Sequence, residues 1–525
     1  MKTDLEAPIS AAHGAAAALP TLVDILQQRA AQEPARVTYT FLHEGERPTV
    51  TLTCHQLDAS ARAIAAHLRR TLPAGARVLL LYPAGLEFIS AFFGCLYAGV
   101  IAVPAPLLGT LTLKNSLARL QSIVDDAQAS AVLTLTNIVS QIEGTAHELP
   151  ALRTIPWLAT DALSADEPGD TANIRVAPDA LAYLQYTSGS TASPKGVMMT
   201  HANLAHQCDY IGRIGGYGQD SVVVSWLPHH HDFGLVNGLL QPLYSGGVCY
   251  LMSSTAFLKR PLRWLQAITR YGGTHSGAPN FAYELLTKKA TEGPLPALDL
   301  KTWCFASCGA EPIRWETLTN FAEAFAPCGF DFDSFYPAYG MAEATLATTV
   351  RRASDVPRYL AVDGEALSRG QVVVSQAADA LKLVSCGRVS DDVCAEIVNP
   401  ANATRCAADE VGEIWIAGGS VAAGYWQRPQ ETEGTFRAYL ADTHEGPFLR
   451  GGDLGFVWEG EVYIAGRIKD IIIIRGQNYY PQDIEWTVQR SHDLADRVEA
   501  VGGRLVVRGV PGHGSTVEAV VLCGS

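Results

Sequence analysis

Leu181-Ala182-Tyr183-Leu184-Gln185-Tyr186 reads as an apolar strand, and it runs straight into Thr187-Ser188-Gly189-Ser190-Thr191-Ala192-Ser193-Pro194-Lys195-Gly196. This junction constrains the chain more than any other feature. Thr187, Ser188, Ser190 and Thr191 surround Gly189 with hydroxyls, and Lys195 follows. Small residues let backbone N–H groups approach phosphate oxygens, hydroxyls add donors, and a lysine neutralises charge. The order differs from the Walker loop, which wants Gly before the lysine and Ser or Thr after it; here Pro194 and Gly196 hold those places. A Ser/Gly linker has a similar composition. The ordered run behind a strand favours a loop that handles phosphate.

The chain has 525 residues, and single cores stop growing near roughly 250–300 residues, so several subdomains are expected. Strand-like and helix-like runs alternate for most of the length, which predicts an α/β fold of parallel sheets covered by helices. Arg77–Tyr82, Ala131–Leu135, Leu181–Tyr186, Val222–Leu227 and Val248–Leu251 read as strands; Ile64–Leu68 and Glu87–Tyr97 have helical spacing. From Gln371 short β-rich runs take over, at Val372–Val374, Glu413–Ala417, Glu461–Ala465 and Ile471–Ile474, so residues 371–466 are expected to form a smaller β subdomain.

The formal charge is −14 with no block of Lys or Arg, which argues against a nucleic-acid surface. The eleven cysteines include no CxxC pair, so free thiols in a reducing cytosol are expected. One charge-free stretch weighed as a membrane span, Ala91–Leu113, is broken by Pro104, Pro106 and glycines. It reads as the end of a buried helix and the strand Val100–Val103 rather than a membrane span. A cytoplasmic enzyme is the expectation.

The string Tyr186–Val197 resembles the signature of the adenylate-forming superfamily, which holds acyl- and aryl-CoA synthetases, peptide-synthetase adenylation domains and firefly luciferase. Further landmarks follow in order. Tyr336-Pro337-Ala338-Tyr339-Gly340-Met341-Ala342-Glu343-Ala344-Thr345 resembles the element in which an aromatic flanks adenine and a glutamate holds Mg²⁺, a hard cation that prefers oxygen donors. Ser307-Cys308-Gly309-Ala310-Glu311 resembles the strand end lining the base, and Arg450-Gly451-Gly452-Asp453-Leu454-Gly455 the ribose element. Gly466-Arg467-Ile468-Lys469-Asp470 is similar to the hinge, with Arg467 reaching the nucleotide and Lys469 at the pivot. Gly424-Tyr425-Trp426-Gln427-Arg428-Pro429 also matches a family string, with no chemistry assigned to it.

The resemblance narrows to the fatty acyl-AMP ligases through Pro228–Leu235, Phe257–Trp264, Gly277–Tyr283 and Tyr336–Thr345. It implies a large N-terminal AMP-binding domain at 1–466 and an incomplete C-terminal domain at 467–525. It further implies activation of a fatty acid by ATP and Mg²⁺ as acyl-AMP, and acyl transfer to an acyl carrier protein. Thr187, Ser188, Gly189, Ser190, Thr191 and Lys195 would steady the leaving phosphates. Ser307, Gly309, Ala310, Glu311, Tyr339, Gly340, Met341, Ala342, Asp453 and Arg467 would bind the nucleoside, and Glu343 the Mg²⁺. His231, in the run His229-His230-His231, would orient the reacting carboxylate and phosphate, with Asp232 holding its imidazole. Adjacent histidines diverge and so suit a shared metal poorly. Phe233 and Phe281 are candidates for the acyl site, with core packing an equal explanation. Ligases of this kind differ from acyl-CoA ligases by an insertion, placed here between Val350 and Ser385. The family also carries a lysine in its C-terminal domain that bonds the carboxylate and α-phosphate, and this chain has no lysine beyond Lys469. Truncation or a frameshift, a separate C-terminal partner, and binding with little turnover stay open; truncation is the favoured expectation. An acyl-CoA ligase and a non-catalytic acyl or nucleotide binder are the alternative functions.

Overall fold

The computed structural model describes residues 19–107, 113–143, 152, 154–163, 174–186, 194–389, 392–470, 472–474, 477–479, 504–509 and 517–522. The chain divides into two compact units. Unit 1 comprises Met1–Arg213 with Tyr217–Ser254, and unit 2 comprises Ile214–Gly216 with Thr255–Ser525.

Unit 1 begins with α1 (Leu22–Gln32), started by a reciprocal cap in which Thr21 accepts from the Asp24 N–H and Asp24 accepts from the Thr21 N–H. The hairpin β1 (Val37–His43) and β2 (Arg47–Thr53) follows, then α2 (Cys54–Thr71), β3 (Arg77–Leu81), α3 (Glu87–Ala98) and β4 (Ile101–Ala105). The charge-free stretch thus ends one helix and builds one strand, as its prolines and glycines predict. Next come α4 (Leu113–Ala127), β5 (Ala131–Thr134), β6 (Trp157–Ala159), β7 (Leu181–Tyr186), β8 (Gly196–Thr200) and α5 (His201–Gly215). Six strands form one sheet in the order β6-β5-β3-β4-β7-β8. All its pairs are parallel except β7 with β8. Residues Val78 to Leu81 are wholly buried, which is why this strand reads as a continuous apolar run rather than an alternation. A second ladder joins β9 (Val222–Ser225), β10 (Val248–Leu251) and β1 in parallel, with β2 antiparallel at its edge.

Unit 2 carries α6 (Leu262–Tyr271), β11 (His275–Ala278), α7 (Asn280–Thr291), β12 (Phe305–Cys308), α8 (Trp315–Phe325) and β13 (Phe335–Gly340). Strands β11, β12 and β13 are parallel. Trp264, Tyr283, Trp303 and Phe321 pack together beside them, Tyr283 stacked on Trp303 and the other contacts edge-on or tilted, with Tyr283 and Phe321 centroids 5.1 Å apart. Each such buried ring contributes roughly 1.5–3 kcal/mol of transfer free energy. The sheet then turns antiparallel through β14 (Ala347–Val350), β15 (Tyr359–Val362), β16 (Leu381–Arg388), β17 (Val393–Val398), β18 (Gly412–Gly418), β19 (Leu449–Trp458) and β20 (Glu461–Arg467). The order from β17 is β17-β18-β19-β20-β16-β14-β13, and β15 pairs with β16. A short helix α9 (Pro429–Phe436) lies between β18 and β19.

One expected run fails as a strand. Val372–Val374 makes only isolated bridges, Gln371 with Glu410 and Val374 with Val362. Val373 and Val374 are about half exposed while Val372 is buried with Phe456 and Tyr463, so the run anchors one side chain in the core and is not a buried ladder. Val222–Leu227 is strand only to Ser225, after which the chain leaves the ladder toward the histidines. Two small antiparallel pairs, Ile472–Ile474 with Gln477–Tyr479 and Arg504–Gly509 with Val517–Leu522, complete the described residues; Ile471 lies outside them.

Candidate active site

Unit 1 supplies the end of β7, the end of β9 and the histidine run. Tyr186 and Gly196 face each other across the antiparallel pair β7–β8, so the Ser/Thr-rich segment is the closed connection between two bonded strands. Thr187, Ser188, Gly189, Ser190 and Thr191 lie outside the described residues; Pro194 and Lys195 lead into β8 and are partly buried. The Tyr186 hydroxyl donates to Asp126 Oδ2 at 2.7 Å, which fastens the strand end to α4. Beyond β9, the three imidazoles diverge as adjacent side chains must. His229 packs on Phe88, with centroids 4.2 Å apart, and His230 sits edge-on to His229. Gln185 donates from Nε2 to the His230 carbonyl, tying the run to β7. Burial pushes His229 down to about 4 and His230 down to about 3. His231 differs: its side chain is 53% exposed, and Nδ1 lies 3.2 Å from Asp232 Oδ1. That hydrogen bond raises the His231 pKa against the pull of burial. The same carboxylate oxygen accepts from the Phe233 N–H at 2.7 Å, capping a π-helix of Phe233–Leu240. Such helices occur often at functional sites. Phe233 itself is buried.

Unit 2 supplies the residues expected around the nucleoside. Tyr339 lies near the end of β13, and Asp453 and Arg467 are cross-strand partners in β19 and β20. The Tyr339 hydroxyl donates to Asp453 Oδ2 at 2.9 Å, and Arg467 Nε donates to Oδ1 at 2.7 Å. Burial raises the Asp453 pKa more than Arg467 and Tyr339 lower it. Each carboxylate oxygen has two lone pairs, so each can accept a second donor such as a sugar hydroxyl. Ser307 ends its strand with a buried Oγ that has no hydrogen-bond partner among the described residues. Gly309 and Ala310 follow, Ala310 at φ +67°, and Glu311 accepts from the Phe281 N–H. Phe281 has an exposed side chain, 42% accessible. At Gly340 a side chain is excluded, since a Cβ would sit 1.7 Å from the Leu346 carbonyl oxygen. Met341 and Ala342 are buried, with Met341 packed against Gly451. Glu343 occupies a short turn of Ala342–Ala344, where its Oε1 accepts from the Tyr425 hydroxyl at 2.8 Å. Lys469 is exposed in the turn after β20.

Several supporting side chains were not read from the sequence. Arg450 makes a two-pronged bond from Nε and Nη2 to Glu413 Oε2, and the Trp415 indole N–H donates to the same oxygen. Glu413 is buried; Trp415 lies two residues along the same strand and pairs with Arg450 across the ladder, a meeting that nothing local in the sequence signals. Tyr425 is the other omission; its family string was visible and its partner was not.

The fold is that of the adenylate-forming fatty acyl-AMP ligases. The sequence agrees: residues 26–426 match the AMP-binding enzyme family, and the chain belongs to it. The chain is 50% identical over 477 residues to the medium-chain-fatty-acid–[acyl-carrier-protein] ligase JamA of Moorena producens, a match covering 90% of this chain and 81% of that protein. It is 36% identical over 505 residues to the long-chain-fatty-acid–AMP ligase FadD26 of Mycobacterium marinum, covering 94% and 84%. Its fold matches the crystal structure of a fatty acyl-adenylate ligase from L. pneumophila in complex with acyl adenylate and pyrophosphate, with a TM-score of 0.81, 37% identity, and 96% and 86% of the two chains covered. No described helix is long and apolar enough to cross a membrane.

Proposed function

We propose that this chain activates a fatty acid with ATP, releasing pyrophosphate, and passes the acyl group from the adenylate to an acyl carrier protein. The observation that carries the reading is the buried Asp453 held from both sides by Tyr339 and Arg467, an arrangement that presets an acceptor for a nucleoside. The similarity to JamA supports the choice of acid and acceptor and makes a medium-chain acid the first to offer.

A carboxylate is a poor electrophile, so its oxygen attacks the α-phosphorus while the bond to the β-phosphate oxygen breaks and pyrophosphate departs. A carrier thiol then attacks the acyl carbon and AMP leaves with the bonding pair. Rate in the first step comes mainly from positioning and charge stabilisation. In this reading Thr187, Ser188, Gly189, Ser190, Thr191 and Lys195 hold the leaving phosphates. Ser307, Gly309, Ala310, Glu311, Tyr339, Gly340, Met341, Ala342, Asp453 and Arg467 hold the nucleoside, and Phe233 and Phe281 bound the acyl site. His231, kept protonated to higher pH by Asp232, offsets negative charge beside the carboxylate. Glu343 suits Mg²⁺: it is a hard oxygen donor with Oε1 fixed by Tyr425 and Oε2 without a hydrogen-bond partner among the described residues. A bound Mg²⁺ supplies charge neutralisation on the phosphate oxygens. Residues 1–466 are read as the adenylation domain, with Lys469 as the pivot to 467–525. ATP use and the free thiols support a cytoplasmic location.

The test is acid-dependent release of pyrophosphate, with acyl-AMP detected by mass. Carrier protein and coenzyme A are then offered separately to the adenylate. Acyl-AMP made and passed only to carrier supports the reading; transfer to coenzyme A makes the chain an acyl-CoA ligase. ATP and acid bound without pyrophosphate release would reduce it to a binding protein.

A further inference from the structure

Tyr425 sits in a segment built to hold one side chain still. Gly424 adopts φ +135°, and a Cβ there would lie 2.4 Å from Thr432 Cγ2, so only glycine lets α9 close over the segment. Thr432 Oγ1 accepts from the Tyr425 N–H at 3.0 Å and donates to the Tyr425 carbonyl at 3.3 Å. The Phe436 ring meets the Tyr425 ring edge-on, with centroids 5.1 Å apart. The phenol also shares a hydrogen bond with Thr435. Burial and the neighbouring Glu343 push its pKa up, so it remains a donor at any pH the protein meets.

That donor is aimed at Glu343 Oε1, 2.8 Å away. Two more bonds stitch the same turn to the irregular segment before Tyr425. The Ala422 N–H donates to the Glu343 carbonyl at 2.9 Å, and Thr345 Oγ1 donates to the Ser420 carbonyl at 2.6 Å. The backbone of Glu343 and one oxygen of its carboxylate are therefore both fixed from residues 420–425, and Oε2, without a hydrogen-bond partner among the described residues, is presented to a ligand.

We propose that Tyr425 is a positioning residue that holds the Glu343 carboxylate with Oε2 presented to the divalent cation carried by ATP. This rests on the reading of Glu343 as the Mg²⁺ ligand. A freely rotating glutamate must lose its rotamer freedom on meeting the cation, whereas this one has already lost it. Tyr425 touches neither substrate nor cation, so its effect should follow Mg²⁺ alone.

The experiment is calorimetric titration of ATP into the full chain, without acid, across a range of Mg²⁺ concentrations. Tyr425→Phe should raise the Mg²⁺ half-saturation of ATP binding roughly ten- to a hundredfold, the scale of a hydrogen bond to a charged group, and leave ATP binding without Mg²⁺ unchanged. In a Glu343→Gln background the same substitution should add nothing. Unchanged Mg²⁺ dependence in Tyr425→Phe, with Glu343→Gln shifted, overturns the positioning role and leaves the glutamate reading intact. Equal weakening with and without Mg²⁺ makes Tyr425 merely structural and also overturns it. If Glu343→Gln keeps the Mg²⁺ dependence of the unaltered protein, the glutamate reading itself fails and this one falls with it.

Discussion

Unit 1 and unit 2 hold their candidate site residues by different means. In unit 2 the polar groups are locked inside an antiparallel sheet: Asp453 faces Arg467 by strand register, Glu413 takes three donors, and Glu343 is anchored through backbone and side chain. In unit 1 they lie just outside the strands: Lys195 leads into β8, and His231 follows β9 with a half-exposed side chain and a neighbouring carboxylate. Cross-strand register fixes position to within a hydrogen bond and resists rearrangement. A turn fixed by one bond leaves its side chain adjustable. The contrast suits a reaction in which the nucleoside is a constant and the carboxylate and phosphates change geometry, since preorganised donors cost no reorganisation in the transition state.

Acid should distinguish the two units most strongly. His201 in unit 1 and His275 in unit 2 are nearly inaccessible, and burial lowers each to about 4. The unfolded chain protonates such groups near 6.5, so between those values it binds more protons than the folded one. Stability is therefore lost as pH falls from about 6.5 toward 4, by about 3 kcal/mol for each of these histidines. Unit 1 also carries the half-buried His229 and His230, lowered by burial in the same direction. Hydrogen exchange followed by mass spectrometry, corrected for the pH dependence of intrinsic rates, should lose protection in unit 1 first. Loss of both together at one pH would end the contrast.

Asp453 gives a middle-sized effect with two arms. Asp453→Ala takes the acceptor from the buried Tyr339 hydroxyl, a cost of about 1–3 kcal/mol visible as a lower Tm. Asp453→Asn keeps a carbonyl oxygen for Tyr339, removes a buried charge, and frees an Arg467 side chain that is 61% exposed, so Tm should hold near that of the unaltered protein. Both should weaken ATP binding in calorimetry. An Asn variant that binds ATP normally would remove Asp453 from the nucleoside site.

The strands β3, β5, β7 and β10 were legible because buried strands and their helices leave strong local patterns, as at Val78–Leu81 and Glu87–Ala98; β11, β12 and β13 are shorter runs interrupted by Gly, Ser and Pro and were not read as strands. The readings of Tyr339, Asp453 and Arg467 came from ordered family strings; that Tyr339, 114 positions away, and Arg467, its cross-strand partner, both meet the Asp453 carboxylate is a fact of tertiary structure. Tyr425 and Glu413 were missed for that reason, since nothing local announces a tertiary hydrogen bond. Val372–Val374 misled because β-branched residues signal a strand equally well at an exposed surface.

The smallest effect sharpens the picture of unit 1. His231 takes its raised pKa first from its hydrogen bond to Asp232, so Asp232→Asn should lower the His231 midpoint, read by NMR on ¹³C-labelled histidine. The sign follows from the charge: the carboxylate favours imidazolium, and an amide favours it far less. Because the His231 pKa is raised in the folded state, its interaction stabilises the protein below the unfolded midpoint near 6.5, and that contribution is lost as pH rises through the folded midpoint. With the side chain 53% exposed, water screens the pair, so Tm should hardly change. Pyrophosphate release should instead fall off at a lower pH in the variant, if protonated His231 offsets charge beside the carboxylate. A midpoint that stays put would mean that Asp232 serves only the Phe233 N–H, as the cap of the helix Phe233–Leu240.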